Sequence, residues 1–231
     1  MAPDSSANRP LLTARKLKKK VLGPGGPLSI LESVDIDLIP GEATAILGAS
    51  GSGKSTLLGL LAGLDEATGG EVVLFDQSLS ELDEDGRAAL RVGRVGFVFQ
   101  SFQLLPGMSA LENVMLPLEL VADPDPRAKA ESALNLVKLS ARLHHYPRQL
   151  SSGEQQRVAI ARAFATQPRL LFADEPTGSL DQVTSQHISN LLFQLCEKSG
   201  AALLLVTHDA RLADRCDRRL LLEDGRLAVA A

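Results

Sequence analysis

The chain has 231 residues, 45% of them hydrophobic and 23% charged, with a net charge of −4. That length and balance suit one globular domain with a sizeable core, and the acidic excess argues against a nucleic-acid partner. No apolar run reaches the about 18 residues that a membrane-crossing helix needs, and 3% aromatic content with no tryptophan leaves little for base stacking.

In chain order, Met1 to Pro10 is polar and carries Asp4, so it does not read as a secretion signal. Leu11 to Leu17 and Leu28 to Leu38 are strand-like runs, and Gly23-Pro24-Gly25-Gly26-Pro27 between them is a hairpin signal. The basic cluster Arg15, Lys16, Lys18, Lys19 and Lys20 reads as a solvated strand end rather than a surface for membranes or nucleic acid. Ala43 to Leu47 is a short apolar strand, and Ser55 to Leu64 has the spacing of a buried helix. The residues joining them are Gly48, Ala49, Ser50, Gly51, Ser52, Gly53, Lys54 and Ser55, a G-x-x-x-x-G-K-[ST] loop. Glycines let successive N–H groups point at one anion, Lys54 reaches the β/γ-phosphates, and the Ser55 hydroxyl suits Mg²⁺. The helix that follows aims its positive dipole end at the same anion. The alternative is a chance match in a glycine-rich loop, and the flanking strand and helix favour a nucleotide site.

Further strands are expected at Glu71–Phe75, Gly96–Phe99, Arg169–Ala173 and Ala201–Thr207, with helices at Glu84–Val92 and Gln182–Glu197. Ser109 and Glu112 match a capping box that starts a helix. Asp123-Pro124-Asp125-Pro126 is a break, and Arg127 to Leu139 is helical in its spacing. Leu220–Leu222 and Leu227–Val229 flank Asp224-Gly225, a hairpin turn. Strands alternating with helices imply an α/β fold with a mostly parallel sheet. A helical subdomain is expected as an insertion at about 101–166 of a single domain spanning 1–231, whose core is 1–100 and 167–231. Leu170 to Ala173 is apolar and runs into Asp174 and Glu175, which a parallel sheet delivers to the edge where ligands bind. Asp174 suits an outer ligand of Mg²⁺, and Glu175 suits a base that polarises water. Cys196 and Cys216 have no metal-ligand spacing and read as free thiols of a reducing compartment.

Several co-ordered segments resemble the nucleotide-binding subunit of an ATP-binding cassette (ABC) transporter. Leu150-Ser151-Ser152-Gly153-Glu154-Gln155-Gln156-Arg157 resembles that family's signature. Gln100 lies where its Q-loop glutamine sits, Ser179-Leu180-Asp181 is similar to its D-loop, and His208 after Thr207 to its switch histidine. With the phosphate loop and the acidic strand end, the resemblance covers residues 11–229. Gly63-Leu64-Asp65, Val98 to Phe102, Glu112-Asn113-Val114 and Ala173 to Gly178 are similar to the lipoprotein-release and macrolide-export branch, and Gly96 to Leu105 with Leu171 to Gly178 to the YbbA type within it.

The resemblance implies the ABC ATPase variant of the P-loop NTPase fold, with an N-terminal antiparallel β-subdomain. It implies ATP as substrate, Mg²⁺ as cofactor held by Ser55, Gln100 and Asp174, and catalysis by Glu175, His208, Gln100 and Lys54. Nucleotide contacts would come from residues 48–55, Thr56 and Val21. Ser151, Ser152, Gly153 and Asp181 would act in trans in a homodimer, the free N–H groups of the signature helix facing the partner's γ-phosphate. A separately encoded integral membrane permease is implied, which places the subunit in the cytoplasm, peripheral on the inner membrane. Export or extraction of a lipid, lipoprotein or hydrophobic compound is one implied function, and regulation of a cell-wall enzyme through a membrane partner is the other.

Two positions depart from the family. Ser152 replaces the second signature glycine, which is expected to reduce hydrolysis without abolishing it. Lys18 to Leu22 offers no aromatic ring for adenine, so Val21 gives apolar contact and modest base selectivity. His144 and His145 are expected to cap or solvate a loop, and His187 to lie on an exposed helix face. The apolar run Phe99, Phe102, Leu104, Leu105 and Met108 suits both core packing and a groove for a partner's helix.

Overall fold

The computed structural model describes residues 9–23 and 26–230. Its elements in chain order are β1 (Leu12–Gly23), β2 (Gly26–Leu38), β3 (Ala43–Leu47), α1 (Lys54–Leu61), β4 (Gly69–Leu74), β5 (Gln77–Ser78), α2 (Glu84–Arg91) and β6 (Val95–Phe99). There follow α3 (Ala110–Leu120), α4 (Pro126–Leu136), α5 (Ser152–Phe164), β7 (Leu170–Asp174), α6 (Gln182–Ser199), β8 (Ala202–Val206), α7 (Ala210–Ala213), β9 (Arg218–Glu223) and β10 (Arg226–Val229). These elements form two compact units, one from residues up to 90 with 202 onward and the other from 91–201.

In the first unit β5, β4, β1, β2, β10, β9, β3 and β8 are hydrogen-bonded in that order. β1, β2, β4 and β5 pair antiparallel, whereas β3 runs parallel to both β8 and β9. β8 is buried along its whole length and Ala45 and Ile46 of β3 are at 0% exposure, the apolar run expected of strands covered on both faces. α1 buries Leu57, Leu58, Leu60 and Leu61 and packs against β8 and β4.

The basic cluster is not a strand end. β1 continues to Gly23, with register shifts between Arg15 and Lys18 and between Lys18's neighbours, and Lys16 at φ 48 marks the bulge. Arg15 pairs with Asp37, and Lys19 bridges Asp65 at 2.8 Å and the Glu66 carbonyl at 2.7 Å. The cluster therefore fastens the sheet to the segment after α1. Gly23 pairs with Gly26, as a hairpin requires, while Pro24 and Gly25 lie outside the described residues. Asp224 (φ 48) and Gly225 (φ 72) both take the left-handed conformation between β9 and β10, the backbone that a two-residue hairpin demands.

In the second unit β6 and β7 run parallel, with Phe99 level with Asp174, and Phe97 stacks on Phe172 at 5.5 Å between centroids. α5 packs on β6, and α3, α4 and α5 pack on one another. α4 ends three residues before the spacing suggested. Lys138 turns left-handed at φ 60, and Leu139 N–H returns to the Leu134 carbonyl, so Val137 and Leu139 stay buried although the helix has closed. Apolar periodicity thus outlived the helix.

The loop after β6 is held by polar groups. Asn113, fully buried in α3, accepts from Leu105 N–H at 2.8 Å and donates to the carbonyls of Leu105, Met108 and Ser109. Phe102 (φ 61) and Gln103 (φ 46) are both left-handed, and the Arg162 guanidinium grips their carbonyls at 3.0 and 2.6 Å. Burial draws the Arg162 pKa below the usual guanidinium value.

Both capping boxes close. Ser109 with Glu112 starts α3, and Ser151 with Glu154 starts α5. Hydrogen bonds from Ser109 hold the Glu112 carboxyl below its ordinary 4.5. The Ser151 N–H, then Arg142, do the same for Glu154. Replacing Asn113 with alanine orphans Leu105 N–H and the Met108 carbonyl, while the Leu105 and Ser109 carbonyls keep backbone donors, and is expected to lower stability by about 2–4 kcal/mol, read from a denaturant midpoint. The two boxes stabilise fully above pH 4.5, the ordinary carboxyl value, and that stability is lost as pH falls through the lowered values. Urea midpoints between about pH 6 and about pH 3 should therefore fall less steeply in the Glu112→Gln, Glu154→Gln double variant.

Candidate active site

In the first unit, Gly53 caps α1 in the left-handed conformation at φ 95, and a β-carbon there would meet Ile30 Cγ2 at 2.9 Å. Only glycine satisfies both conditions. The first turn of α1 has no side-chain cap and no acidic residue, which leaves its N–H groups and dipole for an anion. Lys54 is 7% exposed, and its ammonium donates to the carbonyls of Gly48 and Ala49 at 2.9 and 2.8 Å. The lysine therefore lies along the loop it belongs to, and of its three N–H groups one is left for an incoming acceptor. Ser52 Oγ is buried with no hydrogen-bond partner among the described residues. Ser55 is exposed and Thr56 half-buried at the start of α1. Val21 is 38% exposed opposite Leu28. His208 is exposed just past β8, after a buried Thr207 whose hydroxyl accepts from Asp209 N–H.

In the second unit, the level register of β6 and β7 puts Gln100 and Glu175 side by side just past the strand ends. A β-carbon on Gly178 would lie 2.9 Å from Gln100 Nε2 and 3.5 Å from Glu175 Cβ, so the missing side chain lets both sit there. Ser179 Oγ donates to the Gln100 carbonyl at 3.0 Å. Asp174 and Glu175 are half-buried, and Glu175 takes φ 46, a left-handed conformation unusual for a residue with a β-carbon. The sequence-level set Gln100, Asp174 and Glu175 is thus brought together.

The signature differs from expectation in one respect. α5 starts at Ser152, but its Glu154 N–H is already taken by Ser151 Oγ at 3.3 Å, and the Glu154 carboxylate sits at the same turn. The free N–H groups are those of Ser152 and Gly153, fewer than a bare helix end would offer. Ser152 is exposed, so its side chain costs the helix nothing. A β-carbon on Gly153 would lie 2.6 Å from Thr184 Cγ2. Thr184 in turn bonds to Asp181, whose carboxylate caps α6 through Val183 and Thr184 N–H. The Thr184 hydroxyl holds the Asp181 pKa below its ordinary value. The end of α4, the start of α5 and α6 line a cavity of about 750 Å³ that includes Ser151–Glu154, Ser179–Asp181 and the exposed His187.

The anchoring roles of Asn113, Arg162 and Gln156 are not legible in the sequence, where Asn113 and Gln156 stand only within segments that resemble the family. Gln156 is at 0% exposure, and its Nε2 donates to the Pro176 carbonyl at 2.6 Å while Oε1 has no partner among the described residues. Burying such an oxygen costs on the order of 1–3 kcal/mol. The signal was a polar residue on the stripe shared with Ala159, Ile160 and Ala163. His145 lends its carbonyl to Ala110 N–H and lies 3.3 Å from Arg142, a loop role as expected. Both cysteines are free, and burial pushes the Cys216 thiol up to about 12.

A family model described as ABC transporter matches residues 31–178. "Uncharacterized ABC transporter ATP-binding protein YbbA" of Escherichia coli K12 is 51% identical over 223 residues, covering 96% of this chain and 98% of its own. The lipoprotein-releasing system ATP-binding protein LolD of Legionella pneumophila (strain Lens) is 46% identical over 219 residues, covering 94% and 96%. Among solved structures, the dimeric bacterial ABC transporter cassette MJ0796 matches with a TM-score of 0.86 at 38% identity, covering 94% and 96%. The same cassette in a dimeric post-hydrolysis state with ADP and Pi gives 0.87 at 37% identity, covering 94% and 98%. The chain has the α/β fold of these cassettes. It belongs to the ABC transporter family, as an ATP-binding and ATP-hydrolysing subunit.

Proposed function

We propose that this subunit drives export or extraction of a lipid, lipoprotein or hydrophobic compound through a separate integral membrane permease. The observation that carries the reading is identity of 46% to a lipoprotein-releasing ATP-binding protein over 94% of the chain. No helix among the described residues is long and apolar enough to cross a membrane. The subunit then works at the cytoplasmic face of the inner membrane. Residues 101–166 serve as the helical subdomain inserted into a core of 1–100 and 167–231. Leu105 is 41% exposed, and Phe102, Leu104 and Met108 are half-buried, which suits a groove for a permease helix.

Two subunits close on two ATP molecules. Residues 48–56 hold the phosphates, with Val21 against the base. Mg²⁺ bound with ATP would neutralise developing charge on the phosphates. Ser55, exposed at an uncapped helix start, is a hard oxygen donor of the kind this ion takes, as are Asp174 and Gln100 in their own unit. Glu175 orients and deprotonates the attacking water, and Gln100 and His208 steady it and the γ-phosphate. Ser151, Ser152, Gly153 and Asp181 reach the site from the partner subunit. Hydrolysis removes the bridging phosphate and reopens the dimer.

Glu175→Gln is expected to lower turnover by about 10²–10⁴-fold while still binding ATP. Tagged and extracted from membranes in mild detergent with ATP and Mg²⁺, it should carry a stoichiometric membrane protein with a large extracytoplasmic part. Recovery of a soluble dimer alone, or of nucleic-acid-linked proteins, would overturn the proposal. A partner whose external part engages a cell-wall enzyme would redirect it to regulation. Restoring glycine with Ser152→Gly should raise turnover and ATP-driven dimerisation, and unchanged values of both would refute a role for Ser152 in slowing closure.

A further inference from the structure

Gln156 occupies the apolar stripe of α5, fully buried, and reaches across 20 residues of sequence to the loop after β7. The Pro176 carbonyl can only accept, so Gln156 Nε2 must face it and Oε1 must face away. Oε1 is buried without a hydrogen-bond partner among the described residues. A helix core that keeps an amide with half its bonding capacity unmet keeps it for the half that is met. What that half holds is the Pro176–Thr177 peptide, one residue beyond Glu175, the residue at φ 46. A left-handed residue with a β-carbon persists only where its surroundings over-determine it. Gly178 N–H returns to the Glu175 carbonyl at 3.0 Å from within the loop itself, whereas Gln156 brings a tether from a different element.

We infer that Gln156 is a positioning residue that fixes the Pro176 peptide and thereby the direction of the Glu175 carboxylate. The inference rests on the assignment of Glu175 as the base. α5 begins at Ser152 and Gly153, whose N–H groups are free, and carries Gln156 one turn further on. A displacement of α5 when its first turn engages an acceptor is delivered, through a side chain of fixed length, to the Pro176 carbonyl one residue past the base. Capture of the partner's nucleotide and readiness to cleave are joined by this bond.

The test uses the purified full chain and reads ATP turnover against ATP concentration and pH, Mg²⁺-dependent binding of a fluorescent ATP analogue, and thermal unfolding. Gln156→Met keeps length and volume and loses the amide donor together with the unpaired Oε1. It should lower kcat by about 10–100-fold, with KM and analogue affinity within about threefold and no fall in Tm. Gln156→Glu places a buried carboxyl whose pKa burial raises, and only its protonated form can donate to Pro176. Its kcat relative to the unaltered chain should therefore rise as pH falls from about 8 to about 6. A folded Gln156→Met variant with full kcat overturns the inference, as does a loss in kcat matched by an equal loss of binding. A pH-independent ratio for Gln156→Glu overturns it too, and decides the matter if the methionine variant does not fold. Glu175→Gln measured alongside separates the two readings. Its retention of turnover removes the base itself, whereas its inactivity beside an unaffected Gln156→Met removes only the positioning role.

Discussion

The second unit depends on where α5 lies. Val158, Ala159 and Ile160 are at 0% exposure, so tilting the helix by itself opens a cavity, and it shifts only together with the elements packed on it. From that anchored position it sends out two polar arms in different directions. Gln156 holds the Pro176 carbonyl, one residue past Glu175, and Arg162 holds the carbonyls of Phe102 and Gln103. The loops after β6 and β7 carry residues in left-handed conformations that they would not adopt alone. Apolar burial supplies the energy that keeps them so, and the two arms convert it into geometry.

The phosphate loop of the first unit solves a different problem. A run of N–H groups aimed at one point leaves carbonyls turned outward, and a lysine at the end of the run could as easily swing into solvent. Here Lys54 folds back on the Gly48 and Ala49 carbonyls, so the loop and its cation hold each other in shape. Preorganisation of this kind lowers the ordering cost of binding a polyanion, because little remains to be arranged when it arrives.

Much of this was legible in the residues. The phosphate loop, the acidic end of β7 and the Ser109–Glu112 box are written in local chemistry, and each stands where its spacing put it. The length of β1 was not legible, because its five basic residues are carried by ladders to β2 and β4 and by ion pairs to Asp37 and Asp65, partners that the local sequence does not reveal. The end of α4 was missed since Val137 and Leu139 remain buried beyond a left-handed lysine, and periodicity reports burial rather than helix. Gln156 and Arg162 were overlooked for a related reason. A polar residue on an apolar stripe has meaning only when its distant partner is known, and both partners here are backbone carbonyls, which leave no trace in composition.

The contact between Gly153 and Thr184 has a consequence for how variants of this chain are interpreted. Any larger residue at 153 drives its β-carbon into Thr184, and Thr184 is bonded to the carboxylate that caps α6. Such a variant is a double lesion made by one codon change. It displaces the cap at Asp181 and, on the proposed role of the signature, also obstructs the approach of a phosphate. A dead enzyme carrying it therefore reports on the fit of two helices as much as on the loss of a ligand contact, and an alteration at exposed Ser152 is the cleaner genetic probe.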